Sequence, residues 1–329
     1  GRSNHFNPIP DTWHKMTDIL LFWAAKGIDG FRCDMAEMVP HEFWKYATEK
    51  VKAQYPHIVF IGEVYDPNQY RTYIAAGFDY LYDKVGMYDC LRDVMCEHRS
   101  ANDITRQWQA TDDISKHVLY FLENHDEQRI ASNFFCGNMQ KGIPALIVAA
   151  LFQCNPIMIY AGQEFGEKGM DSEGFSGIDG RSTIFDYWSI DAIRKGFFER
   201  SKLSAEQVQL EKEYRKILTL CNSEKAISNG KTFDLMYANE TNDAFDSNKQ
   251  FAFLRSSNNT TLLIVANFSK TEAHIRVNIP AHAFDYMEIK EGKKNMVDLL
   301  SGNHQSVVLQ KDSSIEIVVP ALNGRVYKF

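Results

Sequence analysis

No run of about 18 apolar residues occurs in this sequence of 329 residues, so no membrane-spanning helix is expected. The longest apolar stretch, residues 143–160, is interrupted by Cys154, Asn155 and Pro156. A basic tract is also missing. Lys and Arg number 36 against 43 Asp and Glu, a formal net charge of −7, which argues against nucleic acid and anionic membrane surfaces as partners. The six cysteines (33, 90, 96, 136, 154 and 221) form no Cys-x-x-Cys pair and no Cys/His spacing of the metal-binding kind. Several lie in apolar runs, where a free buried thiol is expected. They leave the compartment open. No internal repeat or low-complexity segment is present. The first residue is Gly1 rather than methionine, so removal of a native N-terminus, with any signal peptide it carried, is expected. Localisation is left at soluble, whether cytoplasmic, periplasmic or secreted.

What is present is the composition of an ordinary globular protein, 44% hydrophobic and 24% charged, long enough for one large domain and a smaller one. Trp13, Met16, Leu20 and Trp23 recur at helical spacing, which predicts a helix over 11–26 with Asp11 as N-cap and Gly27 as its stop. A second helix is predicted between Pro40 and Pro56, a third over 87–98, a long apolar one over 142–153 and another over 205–221. Between them, 28–34, 57–65, 78–83, 117–126 and 156–164 read as short strands. Near-continuous apolar strands alternating with helices predict a parallel sheet covered on both faces. From about residue 228 the texture changes to short strands, expected at 232–238, 251–257, 260–268, 273–280, 296–300, 314–320 and 325–329, separated by Asn, Gly, Ser and Lys-rich turns. The expected division is a β/α part over 1–225 and an antiparallel β-sandwich over 226–329.

Each of three predicted strands ends on a carboxylate: GFRCD on Asp34, VFIGE on Glu63 and YFLENHD on His125 and Asp126. In a parallel α/β sheet the carboxyl ends of the strands face one crevice. Asp34 and Glu63 are 29 positions apart, room for one helix and one strand, and Asp126 lies 63 positions further on. The three acids are therefore expected to converge. Paired carboxylates suit glycosidic bond cleavage, which needs one protonated acid for the leaving oxygen and one ionised nucleophile or base. Strand alternation puts Arg32 and Asp34 on one face, so Arg32 is expected to hold Asp34 ionised. Glu63, with no cation within two residues, is expected to keep its proton. That assigns Asp34 as nucleophile, Glu63 as acid/base and Asp126 as stabiliser of positive charge on the sugar. His125 is expected to contact substrate. For Arg129, contact in the same cleft and a surface salt bridge both stand. Glu37, Asp66, Glu123 and Glu127 are expected at solvated loop positions. Of the aromatics near strand ends, Tyr65, Phe165, Tyr187 and Trp188 are candidates for stacking on sugar rings, with core packing the alternative for each.

These residues carry a resemblance. GFRCDMAEM, FIGEVYD and FLENHDEQR resemble the motifs around strands four, five and seven of the α-amylase family, glycoside hydrolase family 13, and PIMIYAGQEFGE resembles strand eight and its turn. The residues 181–189, RSTIFDYWS, look like a family segment beyond it. The resemblance implies Asp34 as nucleophile, Glu63 as acid/base, Asp126 as third acid, and Arg32 and His125 as substrate-positioning residues. It implies five units of a (β/α)8 TIM-type barrel, strands four to eight without one to three, followed by a β-sandwich. The family's strand-four motif often continues to a lysine-histidine pair serving substrate and calcium. Here Glu37 and Met38 stand there, so no metal site and no cofactor are carried over, calcium being left to the full-length protein. The expected partner is an oligosaccharide or polysaccharide, with the rest of the barrel supplied by a longer chain or another copy. A transferase or isomerase of the same family, and a non-catalytic glycan-binding or scaffold homologue, are the alternatives to a hydrolase.

Overall fold

In the computed structural model the chain is described at residues 6–171, 177–185, 188–258 and 260–329. It divides into two compact units, Gly1–Gly86 with Lys116–Leu119, and Met87–Ser115 with Tyr120–Phe329.

The first unit alternates helices and strands: α1 (Asp11–Ala24), β1 (Gly30–Cys33), α2 (His41–Gln54), β2 (Val59–Gly62), α3 (Tyr70–Ala75) and β3 (Tyr80–Tyr82). The strands pair in parallel, with Arg32 opposite Ile61 and Ile61 opposite Tyr80, and β3 pairs with the first residues of β4 (Val118–Phe121). The covering layer is aromatic. Trp44 lies edge-on to Phe43 and Phe78, each at 5.1 Å, and Phe60 meets Phe78 at 6.3 Å. A Cβ at Gly62 would come within 2.8 Å of Phe78 and 2.9 Å of Leu81, so glycine is what lets β2 lie this close to its neighbours. Helix α1 departs from expectation at its start. Pro10 is the N-cap, and Asp11 instead pairs with Lys15 one turn on. Gly27 ends this segment with φ +85°. Of the apolar residues on α1, Trp13 is buried against Phe43, whereas Met16 and Trp23 are 44% and 51% exposed.

The second unit holds α4 (Asp89–Met95), α5 (Asp103–Ala110), the remainder of β4, α6 (Gly142–Leu151), β5 (Ile157–Met158), α7 (Asp191–Phe198), α8 (Ala205–Ser223), α9 (Lys225–Asn229) and the β-rich C-terminal part. Tyr120 and Phe121 of β4 pair in parallel with Ile157 and Met158 of β5. Every residue of α6 is buried, and it packs on α8 and on two C-terminal strands, β8 (Thr260–Asn267) and β13 (Asn323–Lys328). A helix apolar on all sides needs such a wrapping. Its last carbonyls need donors, and the fully buried Arg255 supplies them, at 3.2 Å to the oxygen of Leu151 and 2.6 Å to that of Phe152. Arg255 also donates to the carbonyls of Ile227 and Gly230.

The C-terminal strands form a six-stranded antiparallel sheet, β11-β10-β13-β8-β7-β6, and a two-stranded ladder, β12-β9. Beyond β8 and β13 these are β6 (Lys231–Asp234), β7 (Gln250–Ser257), β9 (Ala273–Ile279), β10 (Gly292–Asp298), β11 (His304–Leu309) and β12 (Ser313–Val319). Strands β7 and β8 are almost wholly buried, while β9 and β12 alternate, with Ile275, Val277, Ile315 and Ile317 inward. The strand expected from Thr232 to Ala238 stops early. The Asp234 carboxylate accepts the N–H of Met236, starting the short helix α10 (Met236–Asn239). Strand β11 and helix α11 (Ala281–Met287) were not anticipated from the sequence. Among the described residues no helix is long and apolar enough to cross a membrane.

Candidate active site

Asp34 follows β1 and Glu63 follows β2, so parallel pairing brings both to one end of the first unit's sheet. The backbone locks them there. Glu63 N–H donates to Cys33 O at 3.1 Å, and Ala36 N–H donates to Glu63 O at 2.9 Å. Met35 sits in the left-handed region, φ 41° and ψ 46°, a conformation that costs a non-glycine residue about 1–2 kcal/mol. That turn aims the Met35 N–H at the Glu63 carboxylate, 2.8 Å away. The Trp44 indole holds the same turn through Ala36 O at 3.0 Å.

Arg32 joins the two acids. One guanidinium nitrogen donates to Asp34 and the other lies 3.1 Å from Glu63. Burial pulls the Arg32 pKa down, but hydrogen bonds to Tyr82 and Asp34 and the charge of Glu63 outweigh it, and the net shift is upward. The guanidinium is therefore firmly charged. Glu63 was expected to lack a cation, and the structure corrects this, since Arg32 is shared. The Tyr65 hydroxyl donates to the other Glu63 oxygen at 2.9 Å. Glu63 is 5% exposed overall, whereas the Asp34 side chain is 74% exposed and open to a ligand. Cys33, on the opposite face, is buried, and burial pushes its thiol up to about 12. Glu37 is not a solvated loop residue as expected. Its carboxylate accepts the N–H groups of Tyr65 and Asp66, both at 2.9 Å, and staples the loop after β2 to the turn after β1. Asp66 itself is exposed.

In the second unit, β4 leads into Glu123, Asn124, His125 and Asp126. The Asn124 side-chain oxygen accepts the N–H groups of Asp126 and Glu127 at 2.9 and 2.8 Å, forming the turn that presents His125 and Asp126. Those two side chains lie 3.1 Å apart, each about one-third exposed. Arg129 does not reach outward. It is fully buried, donating to Glu123 at 2.8 Å, to Ser182 at 2.8 Å and to Ala161 O at 2.9 Å, with its guanidinium 3.9 Å from the Tyr160 ring centre. Both expectations for it, substrate contact and a surface salt bridge, are corrected to a buried pair that shapes the turn. Glu123, expected in solvent, is the other half of that pair and also accepts the Ile130 N–H at 2.7 Å. Glu127 is likewise engaged, by Tyr88 at 3.2 Å and Arg92 at 3.4 Å. Sequence reasoning missed Arg92 and Tyr88 because they come from α4 and the turn before it. Phe165 is buried, in edge contact with Phe197, so its role is packing. Trp188 is 45% exposed, and Tyr187 lies outside the described residues. Among the described residues no three His, Cys, Asp or Glu side chains are grouped to hold a metal ion.

Parallel β/α units with acids at the strand ends, followed by an antiparallel β part, define a β/α protein with a C-terminal β domain. Residues 9–236 match the family model described as α-amylase, catalytic domain, and residues 242–329 match that of the α-amylase C-terminal all-beta domain. The chain belongs to the α-amylase family. It is 23% identical over 329 residues to α-amylase 3 of Dictyoglomus thermophilum, spanning 92% of this chain and 62% of that protein. It is also 23% identical over 300 residues to a cyclomaltodextrinase of Geobacillus thermopakistaniensis, spanning 89% and 44%. The chain thus spans under two-thirds of the length of these relatives. Among solved structures, an Anoxybacillus α-amylase superposes with TM-score 0.73 at 19% identity, covering 97% of this chain and 63% of that one. An α-amylase from Geobacillus thermoleovorans, solved with acarbose, superposes with TM-score 0.72 at 18% identity, covering 97% and 64%.

Proposed function

We propose that this chain carries the chemistry of a retaining glycosidase acting on α-glucans or maltooligosaccharides. The observation that carries the reading is the Arg32 guanidinium engaging Asp34 and Glu63 together. Two carboxylates on one fork are close neighbours, which suits the separation of retaining enzymes, about 5–5.5 Å, better than the about 6.5–9.5 Å of inverting ones. The exposed Asp34 attacks the anomeric carbon as the glycosidic C–O bond breaks, and Glu63 gives its proton to the departing oxygen. Glu63 then takes a proton from water, which displaces Asp34 from the sugar. Arg32 stays charged and orients both acids, and Tyr65 fixes the Glu63 rotamer. Asp126 and His125 are assigned to transition-state charge and substrate contact from their motif. We read the five parallel strands as the fourth to eighth of the family's barrel, with residues 1–225 as its barrel part and 226–329 as its β domain.

The test is Asp34→Asn in the full-length protein. Turnover of a soluble α-glucan should fall by about three orders of magnitude or more while oligosaccharide binding persists. Unchanged turnover would end the assignment. Transfer to a sugar acceptor is a second reading, favoured by a 57-residue stretch 33% identical to an α-1,4-glucan:maltose-1-phosphate maltosyltransferase of Cereibacter sphaeroides. Products from maltooligosaccharides separate the two, free reducing ends marking hydrolysis and longer oligomers marking transfer.

A further inference from the structure

Forty positions apart in sequence, Cys96 and Cys136 meet in the second unit with their sulfurs 3.7 Å apart. Cys96 ends α4, where its N–H donates to Arg92 O at 3.1 Å. Cys136 closes the turn that follows Arg129, its N–H donating to Ile130 O at 3.2 Å, with Gly137 at φ +63° bonded back to Ser132. Both thiols are free and partly exposed. A disulfide needs its sulfurs about 2.05 Å apart, so less than 2 Å of approach separates this contact from a bond.

The surroundings distinguish the two sulfurs. Arg92, His98 and Lys141 act on Cys96 as positive charges, and the Arg92 guanidinium also sits 4.9 Å over the ring of Phe135, next to Cys136. The acids facing these cations are Glu97, at 3.6 Å from Lys141 and paired with Lys270, and Glu127, 3.4 Å from Arg92. The hydrogen bond from Cys136, with those cations and against the opposing effect of burial, pulls the Cys96 thiol down to about 6. Cys136 moves the other way, through the same bond and its own burial. The other thiols differ: burial pushes Cys90 and Cys221 up to about 11 and Cys33 to about 12.

We propose that Cys96 and Cys136 form a reversible dithiol–disulfide site, oxidised by low-molecular-weight disulfides, that fastens the turn at residues 130–137 to the C-terminal end of α4. The Cys96 thiolate attacks one sulfur of the small disulfide, breaking its S–S bond, and the leaving thiolate takes up a proton from solvent. Cys136 then releases its proton and attacks the Cys96 sulfur, expelling the second small thiol. Two cysteine thiols are oxidised, one external disulfide is reduced to two thiols, and the atoms balance. The site stands apart from the glycosidase reading. Neither depends on the other.

Glutathione disulfide added to the native full-length protein at neutral pH is the probe. Intact mass should fall by two hydrogen atoms, digestion should yield a peptide pair joined through Cys96 and Cys136, and dithiothreitol should reverse both. On the unsubstituted protein, iodoacetamide should alkylate Cys96 at least about tenfold faster than Cys221. Cys136→Ser should stall with one glutathione on Cys96, and Cys96→Ser should leave Cys136 unmodified. An unchanged mass, equal alkylation of Cys96 and Cys221, or a glutathione adduct that persists on the unsubstituted protein would each overturn the proposal.

Discussion

Arg32 holds two carboxylates with one planar fork, and no other cationic side chain does that equally well. Lysine offers a point charge on a flexible stem. Arg32→Lys should therefore lower kcat/KM on a soluble α-glucan by about two orders of magnitude, as steady-state kinetics would read. Tyr65→Phe removes one hydrogen bond to Glu63, and a typical hydrogen bond contributes about 0.5–1.5 kcal/mol, so a drop of roughly two- to tenfold is expected. The Arg32–Asp34 contact was legible in the sequence because strand alternation places residues two apart on one face. The Arg32–Glu63 contact was not, because it depends on the register that sets Arg32 opposite Ile61, which no spacing along one strand reveals. Glu37 and Glu123 were misread for a related reason. A carboxylate near a strand end looks solvated until the chain supplies the backbone N–H groups or the buried arginine that claim it.

At the level of elements, α6 depends on an acceptor account that another segment closes. Removing Arg255 takes a donor from the carbonyls of Leu151 and Ile227, each orphaned group costing about 1–3 kcal/mol, while Phe152 O keeps the Thr232 hydroxyl and Gly230 O the Cys154 thiol. Arg255→Met should destabilise by about 3 kcal/mol or more in urea titration, and Arg255→Lys should recover only part of it. Helix α8 carries a milder tie. The hydrogen bond from Arg200, opposed by burial and assisted by the hydrogen bond from Arg215, holds the Glu211 carboxyl below its ordinary value. A depressed carboxylate contributes stability above its unfolded pKa, about 4.3, and loses that contribution as pH falls through its folded value. Glu211→Gln should then lower the unfolding free energy from urea titration near pH 7 by about 1 kcal/mol or less given the exposed arginines, and the difference should disappear as pH falls through the folded value. The apolar run of α6 and the strands β7, β8, β9 and β12 were legible in sequence. Strand β11 was not, because its buried residue, Leu309, follows the half-exposed run from His304 to Val308 and leaves little apolar alternation to see.

For the whole molecule, burial is uneven. Strands β7 and β8 are almost entirely inaccessible, whereas α1 exposes Met16, Ile19, Phe22 and Trp23. Local opening follows such differences. Native-state hydrogen exchange should find the slowest amides in Gln250–Ser257 and Thr260–Asn267 and much faster ones in Asp11–Ala24; uniform protection would contradict this. The β/α-then-β order was legible because the apolar runs change period and turn chemistry along the chain. Where contacts divide the chain was not, since the sequence boundary near residue 225 falls inside one compact unit. The packing behind that has a consequence for modularity. Phe152 lies against Phe251 and Phe253, and Arg255 caps the helix that Phe152 ends. The β domain is therefore not a detachable cassette. A chimera that takes residues 242–329 from a relative inherits a mismatched socket unless residues 142–155 travel with them, and shuffling at the domain border should yield insoluble protein more often than active hybrids.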